Sequence, residues 1–283
     1  MNTPLVSPQW LHDHLTDPDL IILDASQKQN KAGLTSDYDG QFIQGARLFD
    51  IKNAFSDPDV SLPNTLPSPP YFEQACQKLG INRHSKLVVY DKLGIFSSPR
   101  VWWMFSIMGH QQIAVLDGGL PAWIESGYET TDSPVQPTTS GDFKANFSPS
   151  FVKSIEAIDE NIQKQHHLIV DARSSGRFNG TSPEPRAGLP SGHIPHSVNL
   201  PFQEVLVGGK FKSPEQLKAI FNQLNPANKA LTFSCGSGIT ACILSLASEL
   251  GTGNKHTVFD GSWTQWATER LLPTQFGGDA EKA

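Results

Sequence analysis

One cysteine of the 283-residue chain stands in a loop whose composition suits covalent chemistry. Cys235 ends an apolar run, and the next residues, Gly236 to Thr240, include two glycines before a helical pattern resumes. Glycines let a backbone curl tightly with its N–H groups turned inward. Such a nest at a helix N-terminus attracts negative charge, so a thiol placed there is expected to react as a thiolate. The segment therefore predicts a nucleophilic cysteine and a cradle for a persulfide anion.

The other two cysteines have the pattern of core residues. Cys242 follows on the apolar face of the helix after the loop, and Cys76 lies in a helical stretch from Tyr71 to Leu79. We expect both to be structural, as most buried cysteines are. Three cysteines form no disulfide framework, which favours a reducing cytoplasm. No pair has the Cys-x-x-Cys spacing of a zinc site, and we predict no metal.

Two other kinds of site have loops of similar pattern. Residues 236–241 fit the G-x-G-x-x-A pattern of dinucleotide sites. Only one strand is predicted after it, however, which leaves no room for the second half of a dinucleotide fold. A cysteine phosphatase loop needs an arginine to clamp phosphate, and Ala241 stands at that position. The sequence disfavours both readings and predicts no organic cofactor.

The segments around the loop occur twice in the chain, in the same order. Four segments of the first half have a counterpart in the second: two short apolar runs, a turn that contains glycine or proline, and an Asp-Gly motif. The pairs are Leu20–Ala25 with Leu168–Arg173, Phe42–Ala46 with His193–Ser197, Lys86–Asp91 with Ala230–Cys235, and Val115–Trp123 with Val258–Trp266. Such matches predict a duplicated domain. Apolar strands that alternate with helical segments predict an α/β fold, with a mainly parallel sheet flanked by helices in each half.

The duplication also predicts the domain boundaries and the position of the site. A polar, Pro-rich stretch predicts a linker over residues 131–149, between domains at 1–130 and 150–283. At the end of the matched central strand the first half has Asp91, whereas the second has Cys235. Ligands of open α/β sheets bind at the carboxyl ends of strands. We therefore expect the first domain to be non-catalytic and the second to be catalytic.

Composition excludes several classes of partner. The formal net charge is −6, with 38 % hydrophobic residues, so neither nucleic acid nor an anionic membrane is expected as a partner. No stretch of about 18 apolar residues occurs, which disfavours a membrane span. The first 20 residues lack the pattern of a secretory signal or of a transit peptide. These features predict a cytoplasmic protein that acts on small molecules.

The motifs together resemble those of the rhodanese superfamily, and within it the tandem-domain 3-mercaptopyruvate sulfurtransferases. The resemblance rests on the loop 235–240 and on four further segments: 98–104, 117–119, 192–195 and 260–263. It implies two tandem rhodanese-like domains and a persulfide on Cys235. The related thiosulfate enzymes carry cationic residues where this loop has Gly236 and Ser237. Thiosulfate:cyanide sulfurtransferase activity is the alternative, and a non-catalytic sulfur-relay module is a more distant one.

The same resemblance implies which residues bind the donor. Arg177 and Arg186 match the family's substrate arginines, and a guanidinium suits a planar carboxylate. The resemblance assigns the loop residues to substrate binding, namely Gly236, Gly238, Ile239 and Thr240, and assigns Ser237 to catalysis. It implies a small-molecule sulfur donor and an acceptor that is cyanide, a thiol or a thioredoxin-like protein.

One departure from the family concerns a proposed proton relay. Mercaptopyruvate enzymes often have a histidine and a nearby acid that are proposed to act with the loop serine. Here Asn64 stands where the histidine would fall, and Lys52 and Asn53 occupy the region of the acid. We therefore expect Ser237 to donate a hydrogen bond and not to belong to a Ser-His-Asp relay.

Overall fold

The computed structural model describes residues 3–270, which form two five-stranded sheets and their helices. The first half contains β1 Leu5–Val6, α1 Pro8–Asp13, β2 Leu20–Asp24, β3 Arg47–Leu48, α2 Pro69–Lys78, β4 Lys86–Tyr90, α3 Ser98–Ile107, β5 Ile113–Leu116 and α4 Gly119–Glu125. The second half contains β6 Val152–Lys153, α5 Ile155–Lys164, β7 His167–Asp171, α6 Ser175–Phe178, β8 Val198–Asn199, β9 Leu206–Val207, β10 Lys210–Phe211, α7 Pro214–Leu224, β11 Ala230–Ser234, α8 Ala241–Thr252, β12 Thr257–Phe259 and α9 Ser262–Glu269. Short 3-10 helices span Pro149–Phe151 and Phe202–Val205.

The two five-stranded sheets have the same strand order. The first is β1-β5-β4-β2-β3 and the second is β6-β12-β11-β7-β8, and the strand pairs in both are parallel. The central strands of the first sheet consist mainly of Leu, Ile and Val and are almost entirely buried, as expected of strands covered on both faces. The predicted α/β fold, with two parallel sheets flanked by helices, is confirmed.

The register of the second sheet brings two functional segments to one edge. Ser234, the last residue of β11, is opposite Asp171, the last residue of β7. Parallel strands end at the same edge of a sheet, so the segments that begin at Cys235 and Ala172 start side by side. The site is built from these two segments.

The predicted equivalence of Asp91 and Cys235 is confirmed by their backbone contacts. Leu120, in the first turn of α4, donates its N–H to the Asp91 carbonyl at 3.0 Å, and Trp263, in the first turn of α9, donates to the Cys235 carbonyl at 3.0 Å. Trp266 in α9 is fully buried, and burial of a side chain this large holds the helix against its sheet.

The chain divides into two compact units. Among the described residues, the first comprises 3–59, 66–148 and 208–211, and the second comprises 60–65, 149–207 and 212–270. The predicted linker lies with the first unit as far as Ser148: Phe143 is 1 % exposed, and its N–H donates to the Ile81 carbonyl at 3.1 Å. The domain boundaries at 130 and 150 stay a prediction. No helix between Thr3 and Arg270 is long and apolar enough to cross a membrane.

Candidate active site

Cys235 is the first residue after β11, and the loop 235–240 leads from it into α8. The cysteine is 2 % exposed. Gly238 has φ of +78°, in the left-handed region that glycine adopts without steric cost. The predicted glycine-dependent turn between a strand and a helix is therefore present, with the cysteine at its start.

The loop of the first unit that begins at Asp91 matches the loop that begins at Cys235, and it binds an anion. There the Asp91 carboxylate fills the loop, and its Oδ2 accepts the N–H groups of Phe96, Ser97 and Ser98 at 2.9, 3.0 and 2.9 Å. The Ser98 hydroxyl donates to the same oxygen at 2.7 Å. Four donors converge on one carboxylate oxygen, so the strand–loop–helix turn of this fold is an anion cradle.

In the second unit the corresponding amides at Ile239 and Thr240 bond to no carboxylate of the described part of the chain. The N–H groups of Ile239 and Thr240 donate to no acceptor within residues 3–270. Cys235 stands where the first unit has its carboxylate. The cradle is thus built in both units, but in the second the residue at the start of the loop carries a sulfur in place of a carboxylate.

The start of α9 fixes the first half of the loop. Ser262 Oγ accepts the Cys235 N–H at 3.1 Å. Thr264 donates both its N–H, at 3.0 Å, and its hydroxyl, at 2.6 Å, to the Gly236 carbonyl. These bonds, together with the Trp263 N–H bond to Cys235, leave little freedom in the backbone that carries the sulfur.

A network of buried ion pairs lies next to the loop. Arg173 is fully buried, and its guanidinium contacts the Asp171 carboxylate at 2.6 Å and Glu184 Oε1 at 2.8 Å. Burial opposes the charge, but the two carboxylates outweigh burial and raise the pKa of Arg173. Glu184 also accepts two bonds from Arg177, at 3.0 Å from Nε and 2.7 Å from Nη2. Glu184 thus orients Arg177 by accepting bonds from the Nε and Nη2 edge of the Arg177 guanidinium.

Arg186 differs from Arg177 in its partners. No carboxylate within the described part of the chain lies within 4 Å of its guanidinium, whose Nη2 donates to Ser237 Oγ at 3.0 Å. Burial lowers the pKa of Arg186; the Cys235 sulfur raises it and Arg177 lowers it further. A half-buried guanidinium beside a second one is a strong attractor for an anion.

Ser237 Oγ accepts a second bond from Asn64. The Asn64 side-chain amide donates to Ser237 Oγ at 3.0 Å and to the Ser237 carbonyl at 3.3 Å. With both lone pairs of the hydroxyl occupied by Arg186 and Asn64, its own hydrogen is left to donate elsewhere. The expectation that Ser237 acts as a donor stays a prediction, and this geometry suits it.

The structure brings most of the predicted site residues together. A Cβ placed on Gly236 would lie 2.9 Å from Arg177 Nη2 and 3.7 Å from Arg186 Nη1. Both arginines therefore lie against the loop; a side chain at position 236 would crowd the Arg177 guanidinium, whereas its distance to Arg186 would be an ordinary contact. Ser237 joins them through Arg186, while Gly238, Ile239 and Thr240 complete the turn. The assignment of all of these residues to substrate binding stays a prediction.

Sequence reasoning missed three residues of this site: Arg173, Glu184 and Ser262. Glu184 lies two positions from Arg186 in the stretch Pro183 to Arg186, where an acid among arginines could have been recognised as their partner. The predictions that Cys76 and Cys242 are core residues are confirmed, since both are fully buried. No group of three or more potential metal ligands occurs between residues 3 and 270.

Comparison with known proteins identifies relatives along nearly the whole chain. The chain is 38 % identical to the human 3-mercaptopyruvate sulfurtransferase, over 93 % of this chain and 91 % of the relative. It is 39 % identical to the rat thiosulfate sulfurtransferase over the same shares of both chains. The crystal structure of SseA from Escherichia coli, described as a 3-mercaptopyruvate sulfurtransferase of the rhodanese fold, superimposes with a TM-score of 0.81 at 33 % identity, covering 93 % of this chain and 99 % of that one.

A family model provides the remaining evidence. The model of the rhodanese-like domain matches residues 7–126 and again residues 154–269. The two matches contain the loops that begin at Asp91 and at Cys235. The chain therefore belongs to the rhodanese family, with two copies of its domain.

Proposed function

We propose that this protein is a sulfurtransferase that carries sulfur as a persulfide on Cys235 and takes that sulfur from 3-mercaptopyruvate. The observation that carries the proposal is the pair of matched loops. In one, four donors surround the Asp91 carboxylate; in the other, the loop begins at Cys235 and its amides at Ile239 and Thr240 have no acceptor among the described residues. A cradle built for an anion, with a sulfur at its entrance, suits a terminal persulfide.

The charges around the loop favour a donor with a single negative charge. Arg173 and Arg177 pair with the carboxylates of Asp171 and Glu184, whereas Arg186 contacts Ser237 and has no carboxylate partner among residues 3–270. The carboxylate of 3-mercaptopyruvate is a monoanion that Arg186 could bind, with the remaining N–H groups of Arg177 beside it. Thiosulfate is a compact dianion, and the loop itself offers it no cation.

The first half-reaction then follows from these contacts. The Cys235 thiolate attacks the sulfur of 3-mercaptopyruvate, an S–S bond forms, and the C–S bond breaks with its electron pair moving to carbon. The enolate of pyruvate results and takes up the proton that the donor thiol releases, which leaves pyruvate and the Cys235 persulfide anion. The Ser237 hydroxyl donates to the ketone oxygen as charge develops there.

The second half-reaction returns the enzyme to its starting state. A nucleophile attacks the outer sulfur of the persulfide, and the Cys235 thiolate leaves. Cyanide, a small thiol or a thioredoxin-like protein could be the acceptor. Catalysis of this kind is covalent, follows ping-pong kinetics, and needs neither a metal nor an organic cofactor. We propose the cytoplasm as its compartment, because all three cysteines are free thiols in the structure.

Thiosulfate:cyanide sulfurtransferase activity is the second candidate, since one relative at 39 % identity is named a thiosulfate sulfurtransferase. Steady-state assays with both donors separate the two candidates. We expect kcat/KM to be higher for pyruvate release from 3-mercaptopyruvate than for sulfite release from thiosulfate. Cys235→Ser should abolish both reactions, and Cys242→Ser, the matched control, should keep most of the activity. A wild-type preference for thiosulfate would contradict the assignment of the donor.

A further inference from the structure

Ser262 has a backbone conformation that is unusual for a residue with a side chain. Its φ is +49°, in the left-handed region that disfavours every residue with a Cβ. The matched residue of the first unit is Gly119, with φ of +56°. A Cβ on Gly119 would lie 2.3 Å from the Asp91 carbonyl oxygen, so glycine is required there. The second unit instead has a serine in the same strained turn.

Helix capping does not explain this serine. Gly261 occupies the N-cap of α9, and no side chain caps that helix. The Ser262 side chain is fully buried, which also excludes a role in solubility. A buried hydroxyl in a strained turn calls for a function of the hydroxyl itself.

The contacts of the hydroxyl point to the sulfur of Cys235. Ser262 Oγ accepts the Cys235 N–H at 3.1 Å and donates to the Phe259 carbonyl at 2.8 Å. It also lies 3.9 Å from Cys235 Sγ. The hydroxyl hydrogen can therefore reach two acceptors. The Phe259 carbonyl is neutral, whereas Cys235 Sγ becomes an anion in the reaction.

We propose that Ser262 is a positioning residue for sulfur transfer, fixing the Cys235 amide and donating to Sγ whenever that sulfur is a thiolate. A charged acceptor competes better than a neutral carbonyl, so the hydrogen turns from Phe259 to Sγ in the thiolate. It returns when Sγ becomes the inner, uncharged sulfur of the persulfide. The proposal rests on the proposed function, because the thiolate both attacks in the first half-reaction and leaves in the second.

Two substitutions separate the hydroxyl from the backbone strain. Ser262→Ala keeps the strain and removes the hydroxyl, whereas Ser262→Gly removes both. We expect both variants to form the persulfide from 3-mercaptopyruvate about 10- to 100-fold more slowly at saturation, which equals about 1.4 to 2.7 kcal/mol in the barrier. The half-saturating donor concentration should change less than about twofold, because Ser262 contacts the sulfur and not the donor.

Ser234→Ala is the matched control. Ser234 is the neighbour of Cys235, it is equally buried, and its hydroxyl has no hydrogen-bond partner within residues 3–270. We expect this variant to react at the wild-type rate. If Ser262→Gly also reacts at the wild-type rate, or if Ser234→Ala is slowed as much as Ser262→Ala, the proposal is overturned.

Alkylation of Cys235 by iodoacetamide separates failure of this proposal from failure of the proposed function. Alkylation needs the thiolate but no sulfur donor, and peptide mapping reports Cys235 alone. We expect both Ser262 variants to be alkylated about 10- to 100-fold more slowly than wild type at neutral pH. Wild type that forms no persulfide would refute the sulfurtransferase proposal, while slow alkylation of the variants would still support the role of Ser262. Equal alkylation rates in all proteins would refute that role.

Discussion

Replacement of Arg186 by alanine should change the choice of sulfur donor and not merely weaken the enzyme. The Arg186 guanidinium donates to Ser237 and lies beside Arg177, whose Nε and Nη2 already donate to Glu184. Arg186 is therefore the cation best placed to bind a donor carboxylate. Thiosulfate has no carboxylate and reaches the sulfur without that contact, so its use should fall less.

The size of the effect follows from the burial of this arginine. Loss of one charged partner at an enclosed site costs about 2 to 5 kcal/mol. Arg186 is only half-buried, and solvent screening reduces the cost to about 1.4 to 4 kcal/mol, or roughly 10- to 1000-fold in kcat/KM for 3-mercaptopyruvate.

The assay compares both donors in wild type, Arg186→Ala and a control of equal charge. Arg270→Ala makes the same change in an arginine that pairs with Asp159, with Nε 3.0 Å from Oδ2. We expect the ratio of kcat/KM for 3-mercaptopyruvate to that for thiosulfate to fall at least about tenfold in Arg186→Ala and to stay unchanged in Arg270→Ala. If Arg186→Ala lowers both activities equally, Arg186 does not recognise a carboxylate and the reasoning is refuted.

Three further predictions concern stability and the Ser237 contact. Glu184→Gln leaves Arg177 and the buried Arg173 without a shared carboxylate, and should lower the free energy of unfolding by about 3 kcal/mol in urea titrations; an unchanged midpoint and slope would contradict this. Asn64→Gly keeps the left-handed backbone (φ +61°) but removes one donor to Ser237, and should lower kcat by less than about tenfold, about 1 kcal/mol; loss of all activity would assign Asn64 a larger role. Burial lowers the pKa of His110, so the unfolded chain binds a proton that the folded chain excludes, and stability falls as pH falls below about 6.5. The urea midpoint should therefore fall less in His110→Gln than in wild type between pH 7.5 and 5.5, and equal falls would contradict this account.

Local sequence patterns predicted the part of the site that the single segment around Cys235 forms. Strand, loop and helix around Cys235 follow from an apolar run, two glycines and a helical period, because each depends on neighbours in sequence. The duplication extended this local information, since it identified Asp91 as the counterpart of Cys235. The glycines and the helix start also predicted an anion cradle, and the carboxylate contacts at Asp91 then identified the four donors that such a loop provides, which composition and spacing could not report.

Contacts between distant segments could not be predicted in the same way. Asn64 and Ser237 are 173 positions apart, and their hydrogen bond depends on the fold and not on a local pattern. The difference between Gly119 and Ser262 was visible in the matched Asp-Gly motifs, but the positive φ that gives it meaning was not. Backbone bonds within the predicted linker, such as that of Phe143 to Ile81, have no signature in composition.

The mass of the intact protein, after exposure to 3-mercaptopyruvate and removal of the excess donor, reports whether Cys235 carries the transferred sulfur. We expect a gain of one sulfur atom in wild type, in Cys76→Ser and in Cys242→Ser, with peptide mapping that assigns it to Cys235. We expect no gain in Cys235→Ser. Burial raises the pKa of the Cys76 thiol well above its usual range, so that cysteine should stay unmodified. A sulfur atom gained by Cys235→Ser, or no gain by wild type, would contradict the claim.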